Sequence, residues 1–314
     1  MLKKLKESRF PERNLIIILA ILIIVLSIAS NRFLSYNNIM NLLRQTSIIG
    51  VIAIGMTFVI VSSGIDLSVG SVLAFSSVLC AMMMKAGVPI WISIIAAILA
   101  GTTLGLLMGI LIHNGSVPAF IATLGGMTMV RGAVMLICGA RKISGLPKAF
   151  KHFAVLKVAG IPGMVLVWIA IIIIGYIIAK YTVFGRNVYA IGSNEEAARL
   201  SGIKIGRNMY GIYAFCAFTS SVAGILMTSR LGNGVPTSGT GYELDVIAAV
   251  VVGGASLSGA VGSIIGTVLG TIIIATIRNG GNLLGINPFI LNILVGGLIV
   301  FSVLFDQMNK KKSR

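Results

Sequence analysis

Residues 90–112 read IWISIIAAILAGTTLGLLMGILI, a run of 23 residues without one charged side chain. At 1.5 Å per residue, a helix of this length is about 35 Å long, enough to cross the roughly 30 Å hydrocarbon core of a bilayer. Nine other apolar runs accompany it, at 14–30, 46–62, 67–84, 119–138, 163–180, 209–229, 242–257, 259–277 and 287–305. The sequence therefore predicts an all-α integral membrane protein with about ten transmembrane helices.

The composition supports a membrane environment for almost the whole chain. Apolar residues make up 57% of it, charged residues only 11%, and the mean hydropathy is +1.02. Soluble domains carry about 25% charged residues. We expect one polytopic domain over 14–305, a short N-terminal segment over 1–13 and a tail over 306–314. Segments 67–84 and 242–257 are short or rich in glycine, so we expect them to be broken or tilted helices.

The basic residues that give the net charge of +17 lie at chain ends and in loops. Because nucleic-acid binders gather such residues on one face, this arrangement excludes nucleic acid and indicates contact with lipid headgroups. Basic residues favour the cytoplasmic side of a membrane. Both termini and the loop 181–208 are therefore predicted in the cytoplasm. Loop 141–157 conflicts with this rule, since it must lie outside yet contains Arg141, Lys142, Lys148, Lys151 and Lys157.

A repeated glycine step divides the chain into two halves, about 14–160 and 161–305. Glycines at 101, 105 and 109 recur at 262, 266 and 270, and PAFIATLGG from Pro118 resembles PFILNILVGG from Pro288. If each half crosses the membrane five times, an odd number, the second half is inverted relative to the first. The alternative is that these glycines only let helices pack closely.

Few polar residues could line a passage through such a bundle. The chain has only eight acidic residues, and an aspartate at the centre of a membrane helix costs at least about 2.5 kcal/mol, so such a residue normally faces a cavity or a partner. Capping of helix starts by Asp66 and Glu243 is the alternative. Amides and an aromatic ring suit a sugar, although helix packing explains them equally well. The candidates are Asp66, Ser68, Asn114, Phe120, Glu243, Asp245 and Asn292.

The loop GRNVYAIGSNEEAARLSGIKIGR, which starts at Gly185, has the chemistry of a water-exposed helix. Ser193 or Asn194 can cap a short helix that has two glutamates in its first turn and ends near Gly202. The side chains of Ala197, Ala198 and Leu200 would give this helix an apolar face for docking in a partner's groove. The alternative is a solvated connector.

Sequence patterns for catalysis and nucleotide binding are missing. No GxxxxGK[ST] loop is present to hold ATP, and neither HExxH nor any other catalytic set assembles from the two histidines. Cys80, Cys138 and Cys216 are far apart in apolar runs, so they predict neither a disulfide framework nor a metal site. We therefore expect a non-enzymatic protein without a cofactor, whose energy comes from a partner or an ion gradient.

Four motifs, in order, resemble the ribose-type permease subunits of bacterial ATP-binding cassette importers. They are GIDLSVGS, VPAFIATLGGMTMVRG, GRNVYAIGSNEEAARLSGI and ELDVIAAVVVGGASLSGAVGS, and the resemblance covers about 37–305. It implies a multi-pass protein of the plasma membrane that pairs with a second copy or a similar permease. It also implies a cytoplasmic ATPase that binds ATP and magnesium, and an extracytoplasmic sugar-binding protein that delivers a monosaccharide such as ribose.

The same resemblance assigns the short cytoplasmic helix to coupling, the transmission of motion from the ATPase. The matching positions are Ser193, Asn194, Glu195, Glu196, Ala197, Ala198, Arg199, Leu200 and Gly202. The five basic residues of loop 141–157 would then face the binding protein, and we hypothesise that they contact an acidic surface on it. Two other functions stay open: a secondary transporter coupled to protons through Asp66, Glu243 or Asp245, and a passive channel.

Overall fold

The computed structural model describes residues 12–313, and in that range the chain forms thirteen helices and one antiparallel hairpin. The predicted basic cluster within residues 3–9 and the terminal Arg314 lie outside the described residues. The elements are α1 (Arg13–Ala29), α2 (Tyr36–Val61), α3 (Val69–Lys85), α4 (Ile90–His113), α5 (Ala119–Ile137), α6 (Lys148–Val155), β1 (Lys157–Val158), β2 (Ile161–Pro162), α7 (Gly163–Tyr181), α8 (Val183–Ser193), α9 (Glu195–Leu200), α10 (Ile205–Leu231), α11 (Tyr242–Val252), α12 (Ile264–Leu283) and α13 (Pro288–Ser313).

Seven helices in the described part of the chain are long and apolar enough to cross a membrane. They are α2, α4, α5, α7, α10, α12 and the Pro288–Met308 part of α13. The three other predicted spans form shorter helices: α1 and α3 have 17 residues each, and α11 has 11. Each of the ten predicted apolar runs thus overlaps one helix, and seven of these helices have the length of a full crossing.

The two segments predicted as interrupted do contain irregular backbone. Helix α3 begins only at Val69, after a non-helical stretch over 62–68 in which Gly64 and Asp66 are buried. Helix α11 stops at Val252, before Gly253 and Gly254, and at 11 residues it is about 16 Å long, half of a bilayer core. Irregular backbone of this kind is tolerated where protein surrounds it.

Helices α2 and α10 form the centre of the bundle. In the most apolar 18 residues of α2 and α10, 89% and 78% of the residues are buried. The corresponding share is only 12–33% in α4, α5, α7 and α13, whose outer sides are exposed and apolar. Helix α10 packs against α3 and α4 of the first half, and α2 packs against α11 and α12 of the second. Each central helix therefore lies mainly against helices of the opposite half.

The two glycine series occupy close helix contacts but have different partners. A Cβ atom on Gly109 would lie only 2.9 Å from the Cα atom of Tyr210 in α10, whereas one on its counterpart Gly270 would collide with the carbonyl of Ala249 in α11. Both contacts bring helix backbones close together, as small residues do in membrane bundles. Both glycines thus serve tight helix packing, each against a different helix.

The end of the bundle that carries α9, called the α9 end, also holds both described chain ends. The hydroxyl of Ser263 donates to the Glu12 carboxylate at 3.1 Å, and Ser256 donates to Asp306 at 2.7 Å. Glu12 precedes α1, and Asp306 belongs to the last helix. The first and last helices therefore reach the same end of the bundle as α9.

The opposite end, called the α6 end, is closed by loops. Residues Ile143 and Gly234 pair as a short antiparallel bridge, which joins the loop before α6 to the loop after α10. The ammonium group of Lys157 donates to the Tyr36 hydroxyl at 2.8 Å, and the side chain of Phe150 in α6 is buried. The predicted basic loop therefore lies at the end remote from α9, with its charged side chains exposed.

Candidate functional site

Helix α9 has a cap at each end, as the sequence predicts. The Asn194 side-chain oxygen accepts from the backbone N–H of Ala197 at 2.9 Å, which selects Asn194 over Ser193 as the cap. At the other end Gly202 adopts a φ of 83°, and its N–H donates to the Arg199 carbonyl at 3.0 Å. Glycine adopts this left-handed conformation without steric cost. The helix is thus held at both ends, a requirement for a rigid lever.

The exposed face of α9 is charged at its start and apolar at its end. Glu195 and Glu196 occupy the first turn, where the helix dipole favours carboxylates. Glu196 pairs with Arg199 at 2.6 Å, and this hydrogen bond and charge raise the pKa of Arg199. Both side chains are more than half exposed, so the pair contributes little to stability.

One residue of the predicted docking face points the other way. Ala198 is only 4% exposed and packs against Ile191 of α8 and Ile205 of α10, so the sequence interpretation is wrong for this side chain. Its neighbour Leu200 is 80% exposed. Positions 197 and 200, three residues apart, share one face of a helix, whereas 198 is turned about 100° away from 197. Ala198 therefore anchors α9, and Leu200 is the apolar side chain open to a partner.

An open groove lies at each end of α9. One, of about 320 Å³, runs between Glu195 and the α4–α5 connection, where His113, Ser116 and Pro118 line it. The other, of about 700 Å³, lies beside the start of α10 and is lined in part by Asn187, Lys204 and Arg207. One groove is therefore lined in part by the acidic Glu195, and the other by the basic Lys204 and Arg207.

Asn114 and Phe120 lie at the α9 end and not in the interior of the bundle. The Tyr210 hydroxyl donates to the Asn114 side chain, which joins the end of α4 to α10. The side chain of Phe120, the second residue of α5, is half exposed. The structure thus separates these two candidates from the acidic ones.

Asp66 and Ser68 bind each other within the buried stretch before α3. The Asp66 carboxylate accepts from the Ser68 N–H at 2.8 Å and from the Ser68 hydroxyl at 2.6 Å, and the two residues are 1% and 2% exposed. Thr123 of α5 donates to the adjacent Ile65 carbonyl at 3.3 Å. These contacts favour the capping alternative for Asp66, which stabilises the irregular backbone that starts α3.

Replacing Asp66 by asparagine tests that role. Because the amide oxygen of Asp66→Asn can accept both hydrogen bonds from Ser68, we expect near-normal transport by the variant. Asp66→Ala leaves buried donors unpaired and should cost about 1–3 kcal/mol. Uptake by vesicles and thermal unfolding in detergent measure the two effects. Loss of transport in a stably folded Asp66→Asn variant would instead place the charge in the passage.

Asp245 and Asn292 are brought together by a residue that the sequence interpretation missed. The Arg278 guanidinium in α12 pairs with the Asp245 carboxylate of α11 and donates to the Asn292 amide oxygen of α13 at 3.1 Å. The side chain of Asp245 is 5% exposed and that of Arg278 19%. Three consecutive helices are thus joined by one polar cluster near the α6 end.

Glu243 belongs to a second polar region near the α6 end. Its carboxylate accepts from the Gly241 N–H at 3.1 Å, a reach back to the residue that caps α11. The nearby Arg131 of α5 donates to the carbonyls of Pro236 and Ser238 at 2.6 and 2.9 Å. The loop before α11 is therefore fastened to α5. Arg131, like Arg278, is not among the site residues predicted from the sequence.

Comparison with known proteins adds an independent line of evidence. A family described as the permease component of the branched-chain amino acid transport system matches residues 38–303. The ribose import permease of Bacillus subtilis is 46% identical over 94% of this chain and 91% of its own length. The ribose import permease of Escherichia coli K12 is 39% identical over 96% and 94%, respectively. No solved structure matches the chain significantly.

These similarities extend over nearly the full length of this chain and of each relative. They include the stretch from Ser193 to Gly202 that forms the capped helix α9, together with both polar regions near the α6 end. The relatives are named as transport permeases. The chain belongs to this family of transport-system permease components, within which it is a ribose-type permease of ATP-binding cassette sugar importers.

Proposed function

We propose that this chain is the membrane subunit of an importer for a monosaccharide, driven by ATP hydrolysis in a separate subunit that contacts α9. The observation that carries the proposal is the short helix α9, capped at both ends, exposed, and flanked by two open grooves. The partner ATPase holds ATP and magnesium, and this chain contributes no cofactor. A sugar-binding protein outside the cell delivers the cargo.

The proposed topology has ten crossings in two inverted halves, with α9 and both chain ends in the cytoplasm of a bacterium and the α6 end outside. The shared position of Glu12, Asp306 and α9 supports an even number of crossings. Each central helix packs on helices of the other half: α10 packs on α3 and α4, and α2 packs on α11 and α12. This reciprocal packing supports two related halves. The exposed apolar faces of α4, α5, α7 and α13 are available to lipid and to a second permease, identical or similar.

A monosaccharide is the cargo that the relatives favour. Besides ribose, their names include xylose for a Haemophilus influenzae permease at 35% identity and D-allose for an Escherichia coli one at 35%. The family description names branched-chain amino acids, so membership alone does not determine the cargo. Of the candidate residues, we assign Glu243, Asp245 and Asn292 to the outer part of the passage and Asn114 and Phe120 to its cytoplasmic part.

Reconstitution separates this function from its two alternatives. The chain is placed in proteoliposomes alone, or as the complex co-purified through a tag on the chain, and uptake of labelled ribose, xylose and allose is measured. We expect uptake only by the complex, with binding protein outside and ATP on the ATPase side. Movement by the chain alone under a proton gradient would show a secondary transporter, and movement without gradient or ATP would show a channel.

The basic loop is proposed to receive the binding protein. Its five cationic side chains are exposed at the α6 end, and Lys148 and Lys151 extend from one helix, α6. Reversing both charges in Lys148→Glu/Lys151→Glu should weaken docking by about tenfold at low salt and less at high salt, because surface charges are screened. Unchanged docking at both salt concentrations would remove the loop from the interface.

A further inference from the structure

Three separate chain segments meet at the α9 end in a contact that we call the junction, formed by Ser63, Gly192 and Ala260. The Ala260 N–H donates to the carbonyl of Val61, the last residue of α2, at 2.9 Å. The Ser63 hydroxyl lies 3.1 Å from the carbonyl of Gly192 in α8 and 3.1 Å from that of Ser258. The end of α2, the end of α8 and the loop before α12 are thus held at one point.

The backbone at the junction is strained on two of the three segments. Ser63 and Ala260 both have a φ of 64°, and they are two of only five non-glycine residues with positive φ in the described range. Side chains with a Cβ atom rarely adopt this conformation, and it persists only where the surroundings enforce it. The two residues are far apart in sequence, yet the structure places them at the same contact.

Gly192 lets the segments approach this closely. A Cβ atom at this position would collide with the Val61 carbonyl and would lie 2.8 Å from the Ala260 backbone nitrogen. The third segment therefore carries a glycine at the point where the other two carry strain. Any larger residue at 192 must separate α8 from α2.

The junction is rigidly connected to α9. Two other residues of α8 make this connection. The Tyr189 hydroxyl donates to the Gly262 carbonyl at 2.9 Å, which ties α8 to the loop before α12, and Ile191 packs against Ala198 of α9. Asn194, which caps α9, follows Gly192 by two residues. A displacement of α9 therefore acts on the junction through less than one turn of helix.

The other two segments lead to the interrupted helices. Ser63 is the second residue of the irregular stretch 62–68, which contains Asp66 and leads into α3. Ala260 lies in the loop between the short helix α11 and α12. One contact thus joins the exposed α9 to the two helices, one from each half, whose backbone is broken inside the bundle.

We infer that the Ser63–Gly192–Ala260 junction is the joint through which a push on α9 moves α3 and α11, so that these three are positioning residues for coupling. The inference rests on the proposed function of α9 as the contact for the ATPase. A joint of this kind needs a fixed backbone, because a flexible one would absorb the motion. The hydrogen bonds of Ser63 and Ala260 enforce one backbone conformation at the junction, and their Cβ atoms exclude alternatives that a glycine would have.

Ala260→Gly isolates this role, because it gives the backbone more freedom without removing a hydrogen bond. The full complex, co-purified through a tag on this chain, is reconstituted with binding protein, and the ratio of ribose transported to ATP hydrolysed is measured. We expect the ratio to fall by about 2- to 30-fold, the range found for residues that carry coupling, while ATP hydrolysis continues. Gly192→Ala should lower it further.

Ala159→Gly is the matched control, since Ala159 has a φ of 51° but lies in the hairpin at the α6 end. We expect it to keep the normal ratio. An unchanged ratio in Ala260→Gly, or an equal fall in the control, would overturn the inference. Ala260→Gly adds no atoms, so the test remains valid if Gly192→Ala is not inserted. Absence of ATP-driven uptake by the unaltered complex would overturn the proposed function as well.

Discussion

The Asp245→Ala variant is expected to lose about 3–5 kcal/mol of stability, the usual cost of leaving one member of a buried ion pair unpaired. Among the described residues, Arg278 would keep only the Asn292 amide as a side-chain hydrogen-bond partner, because its Nε atom already has none there. An uncompensated guanidinium inside a membrane bundle is costly, so α11, α12 and α13 should separate. Thermal unfolding in detergent, followed by the amount of monomeric protein that remains, measures the loss.

Two further variants show whether the loss comes from the unpaired charge. Replacing both partners by apolar residues, Asp245→Leu/Arg278→Met, should restore most of the stability, since buried pairs often exchange for apolar ones at little cost. Arg199→Ala breaks the exposed pair with Glu196 and should leave stability nearly unchanged, because water screens such pairs. A double variant as unstable as Asp245→Ala would show that the cluster acts through something other than charge.

The Leu200→Asp variant is expected to abolish ATP-driven uptake while leaving the bundle folded. Leu200 is 80% exposed at the α9 end and directly precedes Ser201 and Gly202, which line the larger groove. Burial of a leucine in a partner stabilises the contact by about 1.5–3 kcal/mol, so its loss weakens ATPase binding by at least about tenfold. The charge of aspartate, desolvated in the contact, adds to this. Co-purification of the ATPase and uptake in proteoliposomes measure the effect.

Leu200→Met is the matched control, because methionine keeps the apolar surface and nearly the same volume. It should bind the ATPase and transport at close to the normal rate. Ala198→Asp gives a useful contrast, since this side chain points into the chain and the change should lower the thermal stability of the bundle. Normal ATPase binding by Leu200→Asp would remove α9 from the proposed contact.

Patterns along the chain predicted most of the architecture. Each apolar run became a helix, because twenty or so apolar residues have no other stable arrangement in lipid. The end of α11 at Val252, five residues before the predicted boundary, follows from Gly253 and Gly254, which break the helix without breaking the apolar pattern. The caps of α9 were predictable because they depend on residues within one turn of the helix.

Contacts across the bundle were harder to predict. Asp245 and Asn292 were chosen singly, and only the structure shows Arg278 between them, 33 residues from one and 14 from the other. A signal did exist: Arg131 and Arg278 are cations in or beside apolar runs, and a membrane disfavours them as much as it disfavours aspartate. Neither arginine is among the predicted site residues, because only acidic and uncharged polar or aromatic side chains were considered for the passage. The direction of Ala198 depends on packing with α8 and α10, which local spacing does not reveal.

The most direct test of the account is the membrane side on which α9 lies. With Cys80, Cys138 and Cys216 replaced by serine or alanine, a single cysteine is introduced by Glu195→Cys, an exposed position in the first turn of α9. A maleimide that does not cross membranes should label this cysteine in inside-out vesicles and leave it unlabelled in intact spheroplasts. Labelling in intact spheroplasts would place α9 outside the cell and contradict its contact with a cytoplasmic ATPase.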